Sequence, residues 1–256
     1  MRDEWFKTIE LPLSWEEFHR LPRNAAYKYE YFDQRAWLTP RPKCYDARLS
    51  LSPSEPVREV DAQWQVVIRP LQDEDWSRLS SSFSAAFDRV TPFSSMGGDE
   101  RIAAARVCLD ETRSGKEGPL IRNACFVAVD ATDTSKTVGA ILVTLAPDHD
   151  LNDWHSCRWN EPPPPDVIER RFGRPHLTWL FVTPLLSGYG IGTALLSNAV
   201  SELLKLGYGE LASTFLCGNE SSTHWHWRNG FELLEYPGSK RRIRREHSES
   251  RSLPPE

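Results

Sequence analysis

Val182-Thr-Pro-Leu-Leu-Ser187-Gly-Tyr-Gly-Ile-Gly192-Thr-Ala-Leu-Leu196 is the stretch on which the reading of this chain turns. The strand-like run Leu177–Val182 meets Pro184. Glycines at alternate positions (Gly188, Gly190, Gly192) then open a helix whose apolar stripe is Ala194, Leu195, Ala199, Leu203 and Leu206. Gly207 ends that helix as a C′ glycine. Glycines at a helix start remove Cβ atoms and let backbone N–H groups converge on an anion, with the helix dipole adding favourable potential. The chemistry implied is diphosphate binding. A Walker loop needs Gly-Lys-Ser/Thr, and Gly192 is followed by Thr193-Ala194. A dinucleotide fingerprint needs a glycine where Thr193 stands and an acidic residue at the next strand end, which reads Cys217-Gly218. Taken alone, the turn also fits a helix whose glycines serve only close packing.

Outward from the turn, strand and helix patterns alternate. Gln65–Arg69 reads as a strand closed by Pro70, and Asp73 is placed to cap a helix bearing Trp76, Leu79, Phe83 and Phe87. A second helix is expected from about Asp99 to Thr112, then a hairpin of Ala124–Asp130 and Thr137–Leu145. After the glycine turn and its helix come a strand at Leu211–Cys217, a short helix before Gly230 and a strand at Phe231–Tyr236. By composition, residues 1–60 form an extension, rich in Tyr, Trp, Pro and Arg, with a hairpin around Asp33-Gln34-Arg35, and serve to dock or to present a partner surface. Residues 61–237 form the main domain, with a Pro-rich insertion at about 146–175. Residues 238–256 read as a basic strand and a polar, partly disordered tail.

Val182-x-Pro184 with Gly188-x-Gly190-Ile191-Gly192 resembles the cofactor motif of the GNAT superfamily of N-acetyltransferases. Asn219-Glu-Ser-Ser-Thr-His-Trp-His-Trp-Arg-Asn-Gly230-Phe231 resembles that family's closing motif, and Val67-Ile68-Arg69-Pro70 with Asp73–Trp76 is similar to its first strand and helix. The resemblance covers residues 65–237. It implies an α/β fold with a mixed, mostly antiparallel sheet flanked by helices. It also implies acetyl-coenzyme A as co-substrate, attacked directly by a primary amine through a tetrahedral intermediate. The amides of Ser187, Gly188, Tyr189, Gly190, Ile191, Gly192 and Thr193 would cradle the diphosphate, Phe181 and Val182 would pair with the pantetheine arm, and Asn219 would contact the cofactor.

Three positions depart from the family pattern: Ser187 stands for an Arg or Gln, Thr178 for a glutamate base, and His226 for the tyrosine that protonates the leaving thiolate. His226 is therefore assigned as the acid, because an imidazolium is a stronger acid than a phenol near neutral pH. His176 is the nearest titratable candidate for the base. These departures favour an alternative: an acyl-coenzyme A sensor or scaffold that kept the fold and lost turnover. A Rossmann-type nucleotide module is the weaker third reading.

Composition excludes other classes. Hydrophobic residues at 39% and charged residues at 26% describe a globular chain, not a disordered one. A net charge of −5 gives no reason to expect nucleic acid, and Lys240–Arg245 reads as a solvated basic run. No apolar run approaches the ~20 residues that cross a bilayer, and Met1–Phe6 carries no secretory pattern, so a cytoplasmic address is expected. Five scattered cysteines without a CxxC pair argue against a disulfide framework or structural zinc. His149, Asp150, Asp153, His155 and Cys157 fit no zinc spacing, so no metal is expected. The expected acceptor is a small-molecule or peptide amine, with no nucleic-acid or membrane partner.

Overall fold

The computed structural model describes residues 2–53, 61, 64–147, 159 and 161–234. The basic tail and the His149–Cys157 stretch lie outside these residues. A three-stranded sheet in the order β1-β3-β2 comes first, from Ile9–Leu11 (β1), Tyr27–Phe32 (β2) and Arg35–Pro40 (β3). Asp33 and Gln34 turn the β2–β3 hairpin with φ of 51° and 58°, a left-handed pair that matches the twist of the strands it joins. Helix α1 (Trp15–Arg20), opened by a Ser14/Glu17 capping box, buries Phe18 against Ala36 and Leu38.

The main sheet has seven strands in the order β10-β4-β9-β8-β7-β6-β5. Its strands are Cys44–Ser50 (β4), Val66–Pro70 (β5), Phe126–Asp130 (β6), Thr137–Ala146 (β7), Arg174–Val182 (β8), Glu210–Leu216 (β9) and Glu232–Leu233 (β10). Every pairing is antiparallel except β8 with β9. This is the mostly antiparallel, helix-flanked sheet that the sequence led us to expect. All ten residues of β7 are buried, which requires cover on both faces. On one face Phe83 of α2 (Trp76–Ala86) packs on Trp179 and Phe181, and Thr112 of α3 (Gly98–Arg113) accepts from Trp179 Nε1 at 2.9 Å. Helix α4 (Ile191–Lys205) covers β6, β7 and β8 with Leu195, Ala199 and Leu203 fully buried.

Two details differ from the sequence reading. Asp73 pairs with Arg122 on the surface, while the entry to α2 is held by Asp75. Its buried carboxylate takes both guanidinium nitrogens of Arg69 at 2.7 Å and the Gln72 N–H at 2.8 Å. Burial raises the Asp75 pKa, but Arg69 and Gln72 outweigh it and hold the carboxyl below its ordinary range. The second difference concerns the boundary at residue 60. Strand β4 precedes that boundary, yet it lies inside the main sheet, pairing with β9 from Cys44↔Leu216 to Ser50↔Glu210 and with β10 on its other edge. The small sheet also reaches the main body: Tyr27 Oη meets Thr91 Oγ1 at 2.7 Å, and Asn24 Nδ2 donates to the Gly218 carbonyl at 3.1 Å.

Candidate functional site

Strands β8 and β9 pair at His176↔Ala212 and Leu177↔Ser213, then part. Past that point the edge of β8 that faced β9 has no strand partner among the described residues, and its N–H and C=O groups need one. The register of β8 against β7 also slips, with Leu142 opposite Trp179 and Val143 opposite Leu177, so Thr178 is the extra residue of a β-bulge. Such bulges re-aim side chains. The parted strands open into a cavity of about 580 Å³. Its walls run from the glycine turn, past Leu177–Val182 and Ser213–Leu216, to helix α5 (Glu220–Arg228) and the loop holding Thr91 and Phe93.

At the turn, Gly188 and Gly190 have φ of +88° and +82°, which L side chains rarely adopt. An added Cβ at either would meet nothing within 4 Å, so both face open space. From Gly188 onward, the first N–H to find a backbone carbonyl among the described residues is that of Ala194, which donates to Gly190. Helix α4 therefore presents its free N–H groups at the cavity end. Gly192 serves packing: a Cβ there would stand 3.1 Å from Trp225 Nε1. That indole N–H is itself buried without a hydrogen-bond partner among the described residues. Ser187, Gly188, Gly190, Gly192, Thr193, Phe181, Val182 and Asn219 all line the one cavity. The side chain of Asn219 is committed to capping α5, accepting from the Ser222 N–H at 3.1 Å. Tyr189 is half exposed and stacks on Trp64 at 3.6 Å between ring centroids.

His226 borders the cavity but is only 4% exposed. It stacks on Phe215 at 4.2 Å and touches Trp225 and Phe231 edge-on. Burial pushes its pKa down to about 4, against a smaller upward pull from the Ser222 carbonyl, so the ring is neutral near pH 7. Nδ1 lies 2.7 Å from that carbonyl, which only accepts, so Nδ1 carries the proton. Nε2 is then an acceptor, and the Ser213 hydroxyl donates to it at 2.8 Å. A neutral ring with this tautomer has no proton to offer at Nε2. The imidazolium acid expected from the sequence does not match this arrangement. His224, two residues earlier, is exposed and also borders the cavity.

His176 lies just behind the cavity wall. Its Nδ1 is 3.3 Å from Thr178 Oγ1 and its Nε2 is 3.2 Å from Thr214 Oγ1, and both threonines line the cavity. Burial first, then Arg174, lowers its pKa to about 4, so this ring too is neutral. Beyond Thr214 stands Asp46 of β4, whose Oδ1 accepts the Thr214 hydroxyl at 2.9 Å. Sequence reading missed Asp46, since nothing in its neighbourhood signals that it meets β9. No Asp or Glu lines the cavity among the described residues. Among those residues there is also no group of three His, Cys, Asp or Glu able to hold a metal, and no helix long and apolar enough to cross a membrane.

No protein-family model matches this chain, and neither does any curated protein. Solved structures do resemble it. A GCN5-related N-acetyltransferase from Sphaerobacter thermophilus aligns over 90% of this chain at 14% identity and a TM-score of 0.48; this chain spans 57% of its length. A GNAT-family acetyltransferase from Brucella melitensis, solved with acetyl-CoA, aligns over 68% of this chain and 89% of its own at 19% identity and a TM-score of 0.43. The PaiA N-acetyltransferase of Thermoplasma acidophilum, solved with coenzyme A, aligns over 68% and 94% at 16% identity and a TM-score of 0.44. At these values the likenesses carry no functional weight.

Proposed function

We propose that this chain binds acetyl-coenzyme A and transfers its acetyl group to a primary amine on a small molecule or peptide. The observation that carries this reading is the parting of β8 and β9 directly onto the glycine-lined start of α4. An unpaired strand edge along a slot suits an extended, amide-bearing arm. A helix N-terminus at the end of the slot suits a diphosphate. The residues present fit such a group: Gly188 and Gly190 face open space, and the Trp225 indole N–H is buried in need of an acceptor. Ser187 adds a single hydroxyl at the turn.

When bound, the thioester supplies an activated acyl carbon. The chain's own contribution is to hold that carbon beside the amine and to exclude water, which is where most of the rate of such a transfer comes from. Phe181 and Val182 would offer backbone groups along the slot. Neutral His226 fixes the Ser213 hydroxyl at the cavity wall, and neutral His176 fixes the hydroxyls of Thr178 and Thr214.

One observation favours a second reading, an acyl-coenzyme A sensor without turnover: among the described residues no carboxylate lines the cavity. Release of coenzyme A from acetyl-coenzyme A, measured across polyamines, aminoglycosides, simple amines and peptides, separates the two. Turnover with any acceptor supports the enzyme, and binding with no turnover supports the sensor.

A further inference from the structure

The sheet carries a line of polar side chains that the cofactor slot does not use. It starts at Asp46, on the strand that the N-terminal segment inserts beside β9. Asp46 is only 8% exposed, and its Oδ1 takes the Thr214 hydroxyl at 2.9 Å. Thr214 in turn stands 3.2 Å from His176 Nε2 and opens on the cavity. A hydroxyl that donates to a carboxylate has its lone pairs free to accept. One receives the His176 Nε2–H and the other is left for a donor in the cavity.

We infer that Asp46, acting through the hydroxyl of Thr214, is the terminal acceptor for the proton that the attacking amine must lose. The proposal rests on the acetyl-transfer reading above and names the base that the cavity wall itself lacks. As the amine nitrogen bonds to the thioester carbon and the carbon–sulfur bond breaks, the electron pair leaves on sulfur. The nitrogen's proton passes to Thr214 Oγ1, and the hydroxyl's own proton passes to Asp46 Oδ1. Asp46 ends neutral and returns its proton to solvent after product leaves. His176 is a positioning residue, holding Thr214 so that its hydroxyl aims at Asp46.

The surroundings of Asp46 suit a proton acceptor. Burial raises its pKa above the ordinary carboxylate range, partly offset by the Thr214 hydrogen bond and by the charge of Arg174. Among the described residues, β8 sets the charge of Arg174 near it and β9 gives it Thr214, which His176 of β8 also meets. On its far side Leu234, just after β10, gives its N–H to the Asp46 carbonyl, and Glu232 of β10 is engaged by Arg48. A carboxylate pulled upward in this way is a stronger base than an ordinary one.

The test uses the full chain, with acetyl-coenzyme A as donor and an amine that the parent turns over. Asp46→Asn keeps the shape of the side chain and removes its basicity. Its affinity for acetyl-coenzyme A should match the parent within about twofold, while kcat falls about 100-fold, the usual contribution of a general base. The acid limb of the parent's kcat/KM profile should disappear in Asp46→Asn and shift in Asp46→Glu. Thr214→Val should lose rate as Asp46→Asn does, and Thr214→Ser should recover most of it. Asp46→Asn at the parent rate, with the acid limb intact, overturns the proposal. So does a parent that binds acetyl-coenzyme A yet acetylates no amine, for then there is no proton to accept. A parent that fails to bind acetyl-coenzyme A overturns the function reading itself, a separate result read from binding alone.

Discussion

Ser213 donates its hydroxyl to Nε2 of His226 across 2.8 Å, and that bond, with the Ser222 carbonyl on Nδ1, locks a buried neutral imidazole into one tautomer. Folding keeps this ring unprotonated down to about pH 4, whereas its ordinary value is 6.5. Between those values the unfolded chain binds the extra proton, so stability is fully present above the upper value and is lost as pH falls toward the lower one. The effect is worth about 3 kcal/mol if the whole shift is realised, and His176 adds a change of the same sign. Melting temperatures from pH 7.5 to 4.5 should fall steadily, and His226→Phe should flatten the slope. A melting temperature that rises on acidification would contradict this account of the ring.

Trp225 carries a second prediction. Its indole N–H is buried without a partner among the described residues, so Trp225→Phe removes an unmet donor and should leave the free chain as stable as before or slightly more so. If that N–H meets an acceptor on bound acetyl-coenzyme A, the same change should weaken binding about fivefold, equivalent to about 1 kcal/mol. Titration calorimetry on both proteins reads the difference. Equal affinities would show that the indole only fills space beside Gly192.

Strand β4 makes the N-terminal segment part of the sheet, with Ala47 fully buried and Asp46 nearly so. A chain beginning at residue 61 would leave β9 with an open edge and β10 with no partner, and we expect it to lose cooperative unfolding. A chain beginning at residue 42 keeps β4 but loses the small sheet, α1 and Trp5, which packs on Phe93 in the main core, and should fold with a lowered melting temperature. Thermal melts followed by near-ultraviolet circular dichroism distinguish these cases. A parent-like melt from the chain that starts at 61 would show that β4 is dispensable.

The contrast between α4 and β4 shows which parts of the fold were legible in the sequence. Proline, three alternating glycines and an apolar stripe are local signals, so the turn, its helix and the cavity wall they build could all be read along the chain. Strand β4 gives no such signal. Only Asp46 and Ala47 of Cys44–Ser50 are buried, and the strand carries Asp46 and Arg48 where an apolar run or a clean alternation would have marked it. Asp46 is acceptable inside because Thr214 meets it, and that partner is 168 residues away. The position of His226 was readable from its spacing to Asn219 and Gly230, but its protonation was not. Phe215, Trp225 and Phe231 enclose the ring, and they converge on it from two different elements and the loop after α5.

The most direct test of the account is whether acetyl-coenzyme A binds at the glycine turn, measured by thermal shift on the parent and on Gly190→Asp, with NAD as the control ligand. Gly190 faces open space at φ +82°, so a carboxylate there would occupy the anion site and repel a diphosphate. We expect acetyl-coenzyme A at a hundredfold excess over its dissociation constant to stabilise the parent by about 2.7 kcal/mol, NAD to do nothing, and Gly190→Asp to fold without responding to either. A folded Gly190→Asp that is stabilised as the parent is, or a parent that responds to NAD and not to acetyl-coenzyme A, would contradict it.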